Sequence, residues 1–88
     1  MTSYIHKDKF EVLELDGESV ILNSDAFMVT TLNEVGGFCW SLLQEACTIR
    51  QIIQTVRTHY AIEDEAIEQD IERFVNHLMD CGLIRHAS

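Results

Sequence analysis

The sequence predicts an α+β domain in which a three-stranded antiparallel sheet is followed by three helices. Three observations carry this reading. Two β-prone runs, residues 10–15 and 18–23, flank Asp16-Gly17, and a third run, residues 26–31, follows the turn-like Asn23-Ser24-Asp25. Asp-Gly tolerates positive φ at both positions and is the strongest short hairpin signal. From Asn33 onward the apolar period lengthens from two residues to that of a helix, in three successive stretches. Finally, 88 residues, 47% hydrophobic and 24% charged, suit a single modest core, with no linker, repeat or low-complexity segment dividing residues 1–88. A bare three-stranded meander is not stable alone, so the helices must cover it.

The strands follow in order. A two-residue turn at Asp16-Gly17 pairs Leu15 with Glu18, Leu13 with Val20 and Glu11 with Leu22. Leu13, Leu15, Val20 and Leu22 then share one face, read here as the core face. The third strand is assigned to Ala26, Phe27, Met28, Val29, Thr30 and Thr31, which hold no charge, proline or glycine. Phe27 and Val29 point to one side of the sheet, and Ala26, Met28 and Thr30 to the other. As the last strand it has one unpaired edge. Exposed edges are usually blunted by lysine, proline or a bulge, and this one has none of them. Such an edge is either an aggregation risk or a docking site for another chain's strand, and docking is the reading taken here. Residues 1–9 are mixed and polar, with Tyr4 and Ile5 able to pair elsewhere; if they covered the edge, the docking geometry would be lost.

The first helix is capped by Asn33, with Glu34 favourably placed against the helix dipole. Val35, Phe38, Cys39, Leu42, Leu43 and Ala46 recur at helical spacing. Gly36-Gly37 costs about 2 kcal/mol of helix propensity, which points to close backbone approach or to a helix that begins nearer Phe38. Trp40 lies off the main apolar stripe, and the sequence leaves open whether it covers another element or stands half exposed. Thr48 and Gln51 form a capping box for the second helix, with Ile49, Ile52, Ile53 and Val56 as its stripe and Tyr60 closing it. The third helix runs from about Glu65 to Cys81 on Ile67, Ile71, Phe74, Val75 and Leu78, an amphipathic pattern, and Gly82 suits the position after its end. Leu83 and Ile84 can add a closing extended piece. The last two helices on a short connection, with the strands as a wing, give a winged helix-turn-helix-like arrangement.

Charge narrows the partners. The net charge is −9, with six Lys and Arg against fifteen Asp and Glu. Phosphate neutralisation needs basic residues, and a DNA-reading last helix would open here with Glu63, Asp64, Glu65, Glu68, Asp70 and Glu72. Nucleic acid and anionic membrane surfaces are therefore disfavoured, and a protein or peptide partner is the default. No apolar run is long enough to cross a bilayer and residues 1–15 carry charges throughout, so a cytoplasmic location is expected. Cys39, Cys47 and Cys81 form no paired spacing, and His6, His59, His77 and His86 are scattered. No metal site, cofactor site or catalytic constellation is predicted.

The motifs in combination resemble a known family. Leu32-Asn33-Glu34-Val35-Gly36 followed by Trp40 and Leu42-Leu43, then Thr48, Gln51, Ile52 and Tyr60, then Asp70-Ile71, Phe74-Val75, Leu78 and Gly82-Leu83-Ile84 resemble PqqD-like proteins in order and spacing over roughly residues 10–85. The resemblance implies a stand-alone recognition element for the precursor peptides of ribosomally synthesised, post-translationally modified peptide (RiPP) pathways. In such proteins a leader peptide adds as a strand to the third strand's edge, packs in the groove against the third helix, and is presented to a processing enzyme. The lasso-peptide type, working with a cysteine leader peptidase, is favoured over the type that serves a radical enzyme in pyrroloquinoline quinone biosynthesis. A winged-helix protein of transcription is a further alternative. The residues expected to bind peptide are Ala26, Phe27, Met28, Val29, Thr30 and Thr31 on the strand, with Ile67, Asp70, Ile71, Phe74 and Leu78 on the helix. Asp70 is the candidate for pairing with a basic leader residue. Ile71, Phe74 and Leu78 also fit plain core positions, and Asp70 a solvated helix face. A monomer or an edge-to-edge dimer is compatible with an open edge.

Overall fold

The computed structural model describes residues 2–87. The elements in chain order are β1 (Ser3–His6), β2 (Glu11–Leu15), β3 (Glu18–Asn23), β4 (Met28–Leu32), α1 (Glu34–Leu42), β5 (Cys47–Thr48), α2 (Ile49–Tyr60), α3 (Ala66–Asp80) and β6 (Ile84–His86). The expected meander is present as an antiparallel sheet in the order β2-β3-β4, and three helices follow it. Asp16 and Gly17 both take positive φ, 51° and 82°, and the register they set is the expected one, including Leu15↔Glu18 and Leu13↔Val20. Asn33 accepts the Gly36 N–H at 2.8 Å and so starts α1 ahead of the glycine pair rather than after it. Thr48 and Gln51 exchange both capping-box hydrogen bonds, at 3.1 and 2.9 Å. Gly82 follows α3 at φ 72°.

A second sheet, β5-β1-β6, unites short segments from the start, middle and end of the chain. β1 pairs antiparallel with Cys47–Thr48 and with Ile84–His86, so Tyr4 and Ile5 are committed away from β4. Trp40 is the link between this sheet and α1. It is 5% exposed, the His6 ring stacks on it at 3.7 Å between centroids, and the Trp40 carbonyl accepts from His6 Nε2 at 2.7 Å. Burial lowers the His6 pKa from its usual 6.5, with the hydrogen bond to Trp40 opposing. The unfolded chain therefore takes up this proton first as pH falls. The stabilisation is full above pH 6.5 and is lost as pH falls through 6.5 towards the folded-state value. In thermal melts from about pH 5 to 8, His6→Gln should flatten this part of the stability profile, even if its midpoint is lower throughout.

The core face of the meander is the reverse of the expected one. Ile21 is fully buried, whereas Leu13 and Leu15, predicted to face inward, are 45% and 60% exposed. Leu22 and Val20, on that same outer face, are half-buried. The reason lies in how closely α1 approaches β3. A Cβ added to Gly37 would sit 2.6 Å from Ser19 Oγ, so the inner face carries a serine where the backbones meet and has no room for leucine. Counting apolar residues chose the greasier face, but packing chose the smaller one. The core proper joins Ile21 and Leu32 to Cys39, Trp40 and Leu43 of the α1 region, Ile52 and Val56 of α2, and Ile71, Val75 and Leu78 of α3.

The third strand also begins later than expected. Ala26 and Phe27 belong to the β3–β4 turn, where Ala26 N–H donates to Asn23 Oδ1 and Phe27 takes φ 53°. This left-handed conformation costs a bulky residue about 1–2 kcal/mol, and Phe27 is nevertheless 95% exposed.

Candidate functional site

β4 is the end strand of its sheet, and among the described residues no strand pairs with its outer edge. The register identifies which backbone groups are free. In a two-residue hairpin the closing pair, Leu15 and Glu18, exchanges hydrogen bonds, and the ladder then alternates. Glu18, Val20 and Leu22 therefore bond to β2, and Ser19, Ile21 and Asn23 to β4. Their β4 partners are Leu32, Thr30 and Met28. By elimination, Val29 and Thr31 direct their N–H and C=O outward along the free edge. Side chains alternate across the same strand: Val29 is on the outer face with Leu22 and is 65% exposed, while Thr30 and Leu32 pair with Ile21 and Ser19 on the helix-covered face. Val29 thus points away from the helices, and Met28 and Thr30 take the helix-facing side.

Beside the end of β4 a cavity of about 400 Å³ opens between α1 and α3. Asn33, Val35, Gly36 and Cys39 line one wall, and Ile67, Asp70, Ile71 and Phe74 line the other. Gly36 makes room for it. A Cβ there would meet Leu32 Cβ at 3.3 Å and Phe74 Cε1 at 3.4 Å, so the bare backbone lets β4, α1 and α3 converge. The Cys39 thiol is pushed up to about 11 by burial, which keeps it protonated and unreactive within the wall. At the rim the acidic residues of α3 differ in engagement. Glu68 is bound by Arg57 at 3.3 Å, whereas Asp70 is exposed and has no ion-pair partner among the described residues.

Four of the five helix residues singled out in the sequence, Ile67, Asp70, Ile71 and Phe74, therefore come together. The fifth, Leu78, does not: it is fully buried in the core and closed to a ligand. Ala26 and Phe27 are off the ladder, in the turn. The α1 wall escaped sequence reasoning, although the helix-breaking Gly36 was its signal. Among the described residues no group of three or more His, Cys, Asp or Glu is placed to hold a metal ion, and no helix is long and apolar enough to cross a membrane.

What these elements define is a small α+β domain whose β4 edge is bare beside an acidic-rimmed apolar cleft. A profile of the family described as "Coenzyme PQQ synthesis protein D (PqqD)" matches residues 18–84, and the chain belongs to that family. The fold is similar to a solved structure, "TbiB1 in Complex with the TbiA(beta) Leader Peptide", at a TM-score of 0.78 and 25% sequence identity, covering 92% of this chain and 94% of that one. No curated protein is similar to it in sequence.

Proposed function

We propose that this chain is a non-catalytic adaptor that binds the leader region of a ribosomally synthesised precursor peptide and delivers it to a processing enzyme. The observation that carries the reading is the free β4 edge next to the α1–α3 cleft. An extended leader adds as a fourth strand, bonding to the outward groups of Val29 and Thr31, at about 1 kcal/mol net for each main-chain hydrogen bond. One apolar leader side chain enters the cleft against Ile67, Ile71 and Phe74, and a Lys or Arg meets Asp70 at its rim. The similar solved structure, alike over nearly the whole chain, is a complex with a leader peptide, which supports a leader peptide as the ligand.

In this reading the enzyme served is the cysteine leader peptidase of a lasso-peptide pathway, and the setting is the cytoplasm. The family match to a coenzyme PQQ synthesis protein favours a second reading, in which the adaptor hands its peptide to a radical enzyme of cofactor biosynthesis. Both use the same edge. A second copy's β4 is the natural competitor for it when no peptide is present.

The test is fluorescence anisotropy of a labelled synthetic leader, taken from a precursor gene adjacent to this one. The wild-type protein is expected to bind saturably. Asp70→Asn should weaken a leader bearing a basic residue by about three- to tenfold, and the loss should shrink as salt is raised. Absence of saturable binding by the wild-type protein would contradict the proposal.

A further inference from the structure

The outer face of the meander, opposite the helices, has no task in peptide docking by the β4 edge. Leu13 and Leu15 of β2, Val20 and Leu22 of β3 and Val29 of β4 stand together on it. Leu13, Leu15 and Val29 are 45%, 60% and 65% exposed. An antiparallel sheet covered on one side normally turns polar residues to water, and a contiguous apolar surface of this kind marks an interaction site. Glu11 and Glu18 share the same face at its margins. From Phe10 to Ile49 the chain has seven acidic residues and no Lys, Arg or His, so the charges that β2, β3 and β4 place on this face are acidic, with Lys7 and Lys9 lying before β2.

We infer that this face docks the processing enzyme, through an apolar surface on that enzyme flanked by Lys and Arg. The inference rests on the adaptor reading above. Charge chooses the occupant: a second copy would bring Glu11 and Glu18 against the same two carboxylates, on chains that each carry −9. Position agrees with it. Val29 belongs to both surfaces, with its backbone at the free edge and its side chain on the outer face, so an enzyme seated there lies alongside the added peptide strand. Phe27, in the turn that leads into β4, is 95% exposed and offers an aromatic side chain at this end of the sheet.

The experiment uses the full chain and, as the probe, the purified leader-processing enzyme encoded beside its gene, with labelled leader binding measured in parallel. The double variant Leu13→Glu with Leu15→Glu should bind leader within twofold of wild type and lose at least tenfold in affinity for the enzyme. Glu11→Lys with Glu18→Lys, which leaves the leucines in place, should slow association and flatten its salt dependence. Enzyme binding by both variants at wild-type strength would overturn the inference, as would a wild-type chain that does not bind the enzyme. A wild-type dimer that the leucine variant converts to monomer would overturn it in favour of self-association. Failure of the wild type to bind leader counts against the adaptor reading instead, and enzyme binding then judges this face alone.

Discussion

Replacing Val29 with proline should weaken leader binding by about tenfold or more and leave the domain folded. The N–H of Val29 points away from β3, so a proline there removes a donor from the free edge and none from the β3–β4 ladder. One lost hydrogen bond is worth about 1 kcal/mol, and the pyrrolidine ring also fills space that the incoming strand needs, so affinity should fall by about tenfold or more. Thr30→Pro is the matched contrast. Thr30 bonds to Ile21, a fully buried residue of the central strand, so proline at that position breaks the sheet and should lower the thermal midpoint sharply. Circular dichroism and anisotropy on the two variants separate the effects. A folded Val29→Pro protein that binds leader as well as wild type would mean that the peptide does not use this edge.

Leu78→Ala should be the more damaging change to stability and the less damaging to recognition. Leu78 has the right spacing on α3 to line a groove with Ile67, Ile71 and Phe74, yet it is 0% exposed among the core residues. Truncating a fully buried leucine costs about 2–5 kcal/mol, through lost transfer energy and the cavity left behind. That is a large share of the stability of a domain this small. Chemical denaturation should show the loss as a lower midpoint with little change in slope. The fraction that remains folded should bind leader normally, because no part of the cleft wall has been removed. Weaker binding by fully folded Leu78→Ala protein would place Leu78 in the recognition surface after all.

Much of the fold was legible in the sequence because its signals are local. Asp16-Gly17 dictates a hairpin register that extends over five residue pairs, and Asn33, Thr48 with Gln51, and Gly82 mark helix ends by hydrogen bonds within a few residues. What was not legible depends on long-range packing. Ser3–His6, Cys47–Thr48 and Ile84–His86 are too short and mixed to read as strands, and only the closed tertiary structure pairs them. Trp40 sits off the stripe of α1 because its partner is His6, far away in sequence. The inner face of the meander could not be chosen by counting, since the outer face holds more leucine and valine. Its true marker was small size at Ser19 and Gly37, where α1 comes close. The candidate site divides the same way. The α3 wall follows from helical spacing, whereas the shift of β4 by two residues follows from Phe27 adopting a turn conformation that glycine or asparagine would normally supply.

The measurement that tests peptide docking most directly is a backbone NMR titration of isotope-labelled protein with the adjacent gene's leader peptide. Strand addition to β4 predicts shifts concentrated on residues 28–32, largest for the outward amides of Val29 and Thr31, together with Ile67, Asp70, Ile71 and Phe74 across the cleft. Those two amides should also become protected from hydrogen exchange. The β5-β1-β6 sheet on the other side of Trp40 should be unmoved. Saturable binding that shifts other residues and leaves β4 and the cleft unchanged would contradict the account.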